Sequence, residues 1–137
     1  MRGLKQPVDM LPQLEDQAVV RADAFKDPVA VEQSVIEHRN HRVRLLHKEG
    51  VLRERIGRYS EALRWYRRGL NMLERHETAT TAAALRAQLA LAYAGVRYRQ
   101  GRYGELVRWA EEAVANAEMA GDRASLAHAY YLLDLGV

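Results

Sequence analysis

His38 and His41 stand three residues apart, with Glu37 beside them and His47 further along the same stretch. Residues i and i+3 share one face of a helix, and two imidazoles so placed can hold a zinc ion. A stable site needs a third and a fourth ligand, and no second cluster is placed to supply them, so these residues read as a solvated polar stretch. Gly101-Arg102-Tyr103-Gly104 has the outline of a GxxG phosphate loop. No strand precedes it and no Lys-Ser/Thr follows, so it reads as a turn. The chain has no Cys, which removes disulfides, thiolate metal sites and a Cys nucleophile from consideration. Ser60 and Ser125 have no base at a helical or strand spacing, and no carboxylates converge as a general acid–base pair. The expectation is a protein that is not an enzyme and needs no cofactor or metal.

Arginine is the other candidate for chemistry. Arg53, Arg55, Arg58, Arg64, Arg67 and Arg68 make a dense run interleaved with Tyr59, Trp65 and Tyr66. Guanidinium groups and aromatic rings together can bind phosphate and stack on bases. Glu49, Glu54, Glu61 and Glu74 lie within helical reach of several of these arginines and offer them partners. The net charge is +3, with a pI near 9.4, a mild bias for a nucleic-acid binder. The run reads as an ion-paired outer face, and nucleic acid is not the expected partner.

The elements that position these residues come from a nine-residue stretch written twice. Gly57-Arg58-Tyr59-Ser60-Glu61-Ala62-Leu63-Arg64-Trp65 returns from Gly57 to Gly101, 44 residues on, as Gly101-Arg102-Tyr103-Gly104-Glu105-Leu106-Val107-Arg108-Trp109. A period of roughly 20–50 residues marks stacked helical or β units. Apolar residues at helical spacing flank each copy: Leu45, Leu46, Leu52 and Ile56 before the first, Ala62, Tyr66, Leu70 and Leu73 after it. Each Gly suits the position after a helix, where φ is positive and a Cβ would cost about 1 kcal/mol. The unit is therefore helix, Gly turn, helix. No alternating strand pattern occurs, and the expected fold is all-α.

These residues resemble a tetratricopeptide repeat. Gly50, Gly57, Tyr59, Ala62, Tyr66 and Gly69 fall on that family's pattern in the first copy, and Ala94, Gly101, Tyr103, Leu106, Ala110 and Ala113 in the second. Arg53 and Arg97 stand where the family usually has an aromatic. The long period and the Ala120-Gly121-Asp122 helix end are similar to the long repeats of large bacterial signalling ATPases, transcription activators and adenylate cyclase proteins. The resemblance implies an antiparallel helix-hairpin array of about six helices, wound as a right-handed α-solenoid. It also implies a concave groove, lined by the first helix of each repeat, that binds a peptide or a helix. The groove positions are then Arg44, His47, Lys48, Val51, Glu54 and Arg55 in one repeat and Gln88, Leu91, Ala92, Gly95, Tyr98 and Arg99 in the next. Chaperone-binding relatives clamp a terminal carboxylate with Lys and Asn, whereas His47, Val51 and Ala92 occupy those positions here. The implied partner is a protein or peptide, best an amphipathic helix with acidic residues.

In chain order the expectation is a flexible arm over residues 1–9 and N-terminal helices over 10–42. The first of these carries Leu11, Leu14, Ala18, Ala22 and Phe25. Asp27-Pro28 starts the next, which runs unbroken or breaks near Asn40. One repeat follows over 43–78, a second over 79–121 with Thr80 or Thr81 as cap, and the first helix of a third over 122–137. No apolar run is long enough for a membrane span or a leader core, and the expected compartment is the cytoplasm. In the last helix Leu126, Tyr130 and Leu133 are expected to pack inward. Tyr131, Leu132 and Leu135 then form an uncovered edge open to a second copy or to more of a longer protein.

Overall fold

A computed structural model describes residues 27–137 of the 137-residue chain. The expected arm over 1–9 and the first expected helix lie outside the described residues. The chain divides into two compact units, 1–38 and 39–137. In the first, Asp27 opens helix α1 (Pro28–Arg55), accepting the Val29 N–H at 3.0 Å, with Pro28 at the first helical position. The helix runs without a break at Asn40, the longer of the two sequence expectations.

The second unit takes the rest of α1 and then α2 (Tyr59–Met72), α3 (Thr80–Arg99), α4 (Tyr103–Ala120) and α5 (Arg123–Gly136). The described residues are all-helical. Thr80 is the first residue of α3 but gives no side-chain cap, and neither does Thr81. Asp122 caps α5, accepting from the Ser125 N–H at 3.1 Å and the Ser125 hydroxyl at 2.6 Å. Those two bonds hold the Asp122 carboxyl below its ordinary value.

The two Gly turns have one geometry. Gly57 has φ +81° and Gly101 +73°. The Gly57 N–H donates to the Glu54 carbonyl (3.0 Å) and the Arg58 N–H to that of Arg53 (2.8 Å); Gly101 and Arg102 repeat this on Tyr98 (3.0 Å) and Arg97 (2.8 Å). This 5→2 and 6→1 pairing is the Schellman helix end, which needs a left-handed residue after the last helical one. Gly121, at φ +67°, makes a third such end between α4 and α5.

Each turn folds its helices antiparallel. Across the first, Arg53 faces Glu61 and Gly50 lies against Tyr66. Across the second, Arg97 faces Glu105, Tyr93 stacks on Trp109 and Arg86 reaches Asn116. Gly50 is required by this approach, because a Cβ there would run into the Tyr66 ring. One core cluster joins α1, α2 and α3 around Val43, Tyr66, Leu89 and Val96; a second joins α3, α4 and α5 around Leu91, Leu106, Ala110 and Leu132. α3 is therefore buried on two sides.

The polar link after α2 is tied down from two directions. Arg39 makes a two-pronged ion pair with Glu77 at 2.6 and 2.8 Å. Arg86, only 5% exposed, donates to the carbonyls of Glu74 (2.7 Å) and Glu77 (2.6 Å) and to Asn116 Oδ1 (2.8 Å). A buried guanidinium is tolerable when its donors are satisfied in this way.

The last helix corrects the expected edge. Its inward face is Ser125, Ala129 and Leu132, with Gly136 close against Val107 and Leu106. Leu132 is 5% exposed and belongs to the core; of the residues expected inside, Leu133 packs half-buried on the second core cluster and Leu126 is half-buried, whereas Tyr130 is 49% exposed. At Gly136 a Cβ would lie 2.8 Å from Val107 and 3.0 Å from Leu106, so the end of α5 approaches α4 closely. Tyr131 and Leu135 remain on the outer side.

Candidate functional site

α1 and α3 present most of the residues assigned to the groove. Arg44, Lys48, Arg55, Gln88, Tyr98 and Arg99 are exposed, and His47, Val51, Glu54, Ala92 and Gly95 are half-buried. Leu91 is the exception. At 6% exposed it packs in the second core cluster, because α3 turns that side toward α4, so it is not a groove residue.

A polar chain joins the two helices at this face. The buried Tyr66 hydroxyl donates to Glu54 Oε1 at 2.9 Å, and Arg99 Nη1 pairs with Glu54 Oε2 at 2.9 Å. His47 sets its ring edge-on to Tyr66, centroids 5.7 Å apart. Burial, with the hydrogen bond to Glu54, drives the Tyr66 hydroxyl well above its ordinary value, so it stays a neutral donor. Burial also lowers His47, partly offset by the Glu54 carboxylate. Glu54 thus neutralises Arg99. Among the described residues Arg44, Lys48 and Arg55 form no ion pair. The available positive charge of the face therefore sits on α1, beside half-buried Val51, Ala92 and Gly95.

The Arg-rich run is largely engaged within the fold. Arg53 reaches Glu49 (3.4 Å) and Glu61 (3.9 Å), and Arg58 reaches Glu61 (3.6 Å). Arg68 lies over the Trp65 ring at 4.8 Å, and Arg67 donates to the Tyr93 hydroxyl at 3.0 Å. Trp109 packs on Tyr93 with centroids 4.3 Å apart. Arg55 and Arg64 of the same run are exposed and form no ion pair among the described residues.

A cleft of about 730 Å³ opens between α2 and α4, lined by Arg67, Asn71, Arg75, Arg86, Trp109 and Asn116 among others. Its walls mix signs. Glu111 and Glu112 line it with the arginines, and Glu105 holds Arg97 at 3.3 Å and Arg108 at 3.7 Å. Sequence reasoning did not assemble this cleft, since its lining comes from three helices and a link. The 44-residue period could have placed Arg67 and Glu111 at equivalent positions of α2 and α4, but nothing local marks the opening.

Among the described residues no group of three or more His, Asp or Glu could hold a metal ion, and His38 and His41 are both exposed. No helix of the described residues is long and apolar enough to cross a membrane. No protein-family model, curated protein or solved structure matches the chain.

Proposed function

We propose that the protein is a tetratricopeptide-like interaction module that binds an acidic amphipathic helix or peptide along α1 and α3, as a regulatory or scaffolding part of a bacterial cytoplasmic signalling system. The observation that carries this reading is the pairing pattern on that face. Glu54 and Arg99 neutralise each other, and Arg44, Lys48 and Arg55 stand exposed without an ion pair among the described residues, next to half-buried Val51 and Ala92. Cations around a shallow apolar strip suit a helix whose apolar side is flanked by carboxylates. The internal period of 44 residues and the three Schellman ends support a helical-repeat architecture. Titrating a synthetic acidic amphipathic peptide against charge-reversed variants of the face tests the reading.

A second reading, small-ligand sensing, rests on the cleft between α2 and α4. Its arginines and asparagines suit an anionic ligand, and Glu111 and Glu112 oppose one. Calorimetric titration with inorganic phosphate distinguishes it, because saturable heat abolished by Arg75→Glu favours the cleft.

A further inference from the structure

The cleft between α2 and α4 carries opposite charges on its two sides. α2 and the link after it bring Arg67, Asn71 and Arg75, and α4 brings Glu111 and Glu112. Arg67 and Glu111 stand 44 residues apart, as do Arg68 and Glu112, so equivalent helix positions hold a cation in one hairpin and a carboxylate in the next. Arg67, Arg75, Glu111 and Glu112 are all exposed, and none forms an ion pair among the described residues, with one another or elsewhere. Opposite charges that share a cleft without pairing leave room between them. The volume of about 730 Å³ falls within the range of ligand sites, roughly 300–1,000 Å³.

Two other charges of the lining are already matched, since Glu105 is reached by Arg108 at 3.7 Å as well as by Arg97 and Arg102. Arg86 is not. It bonds through its three nitrogens to the carbonyls of Glu74 and Glu77 and to Asn116 Oδ1, and it forms no ion pair among the described residues. A positive charge therefore sits in the lining, 5% exposed. Leu70 and Trp109 add half-buried apolar surface, with Arg67 over the Trp109 ring at 5.9 Å. A simple anion gains from Arg75 and Arg86 and is repelled by Glu111 and Glu112, and a simple cation meets the reverse. A molecule with both charges on an apolar frame is attracted by both sides. We propose that this cleft binds a short peptide segment with a carboxylate and a cationic side chain on either side of apolar residues. Arg75 receives the carboxylate beside the Arg86 charge, Glu111 and Glu112 receive the cation, and the apolar residues lie on Leu70 and Trp109. The proposal deepens the cleft reading, on which it rests, and is independent of the groove along α1 and α3.

The probe is the capped tetrapeptide acetyl-Asp-Leu-Leu-Arg-amide, titrated by calorimetry into the full 137-residue protein. It is compared with acetyl-Asn-Leu-Leu-Arg-amide, acetyl-Asp-Leu-Leu-Gln-amide and inorganic phosphate. The expected result is saturable binding of the dipolar peptide, with each of the other three at least about tenfold weaker. In the protein, Arg75→Glu weakens the dipolar peptide by a similar factor, and so does Glu111→Gln combined with Glu112→Gln. The peptide changes leave the protein untouched, so they decide the matter even where a protein variant folds poorly. Phosphate or the anionic peptide binding as tightly as the dipolar one overturns the inference and leaves the cleft as an anion site. Loss through Arg44→Glu plus Lys48→Glu, with the cleft variants silent, overturns it by moving the peptide to the groove. A dipolar peptide that does not saturate while phosphate does overturns the inference alone, and silence of both overturns the cleft reading with it.

Discussion

Arg97 Nε lies 3.3 Å from Glu105 Oε2 across the second hairpin turn. Arg53 stands in the same relation to Glu61 across the first, at 3.9 Å, and in both arginines the buried Nε has no hydrogen-bond acceptor among the described residues. The attraction is therefore mainly coulombic, and its strength follows burial. Arg97 and Glu105 are 17 and 30% exposed, Arg53 and Glu61 31 and 36%. A double-mutant cycle on Arg97 and Glu105 should give a coupling of about 1 kcal/mol, and one on Arg53 and Glu61 about half that or less. Equal couplings would remove burial as the controlling variable.

Arg86 fixes the link between α2 and α3 through three donors with neutral acceptors. Arg86→Met keeps the packing volume and leaves those carbonyls and Asn116 without their partner. The expected loss of stability is about 2–4 kcal/mol, together with faster amide exchange at Glu74–Glu77. A loss under about 0.5 kcal/mol with unchanged exchange would show that the link holds without it.

Stability should fall with acid in two separable windows. His47 is lowered from its ordinary 6.5 by burial. The unfolded chain therefore takes up a proton at His47 before the folded one does, and stability drops as pH falls below 6.5. Glu77 is lowered from 4.5 by its hydrogen bond to Arg39. The stability from that pair is complete above 4.5 and is lost as pH falls through the depressed value. His47→Gln should flatten the upper window only, and Glu77→Gln the lower only. The measurement is melting temperature against pH for the three proteins.

Glycine substitutions should separate strain from clash. A Cβ on Gly57 meets nothing within 4 Å, so Gly57→Ala carries only the cost of a left-handed residue, about 1–2 kcal/mol. Gly50→Ala collides with the fully buried Tyr66 ring and should cost more, about 2–4 kcal/mol, because the ring must shift in a packed core. Urea melts showing the reverse order would contradict the hairpin geometry.

The helix ends were legible because they are local. Gly57, Gly101 and Gly121 each close a helix through backbone bonds spanning at most five residues, and Asp27 and Asp122 cap within three. Ties between distant elements were not legible. Arg39 to Glu77 and Arg99 to Glu54 depend on how hairpins stack, and no spacing rule announces them. In α5 both Leu126-Tyr130-Leu133 and Ser125-Ala129-Leu132 satisfy a helical period. The buried side is centred on the second set, with Leu133 of the first packed half-buried at its border and Tyr130 turned out. Arg53 and Arg97, which depart from the repeat pattern that the sequence resembles, prove to be matched partners of Glu61 and Glu105. Leu91 was misplaced because register alone does not show which sides of α3 are covered.

The most direct test of the groove is a titration by nuclear magnetic resonance or calorimetry with an acidic amphipathic helical peptide. Two variants with reversed charge are compared, Arg44→Glu plus Lys48→Glu on α1 and Arg64→Glu plus Arg68→Glu on α2. All four side chains are exposed, so both variants should fold. Arg99 is left intact, because its pairing with Glu54 at 2.9 Å makes its reversal a structural change as well. Reversal on α1 should weaken binding at least about tenfold and flatten its salt dependence, with the α2 variant close to the parent. Loss of binding through α2, with α1 reversal silent, would contradict the groove.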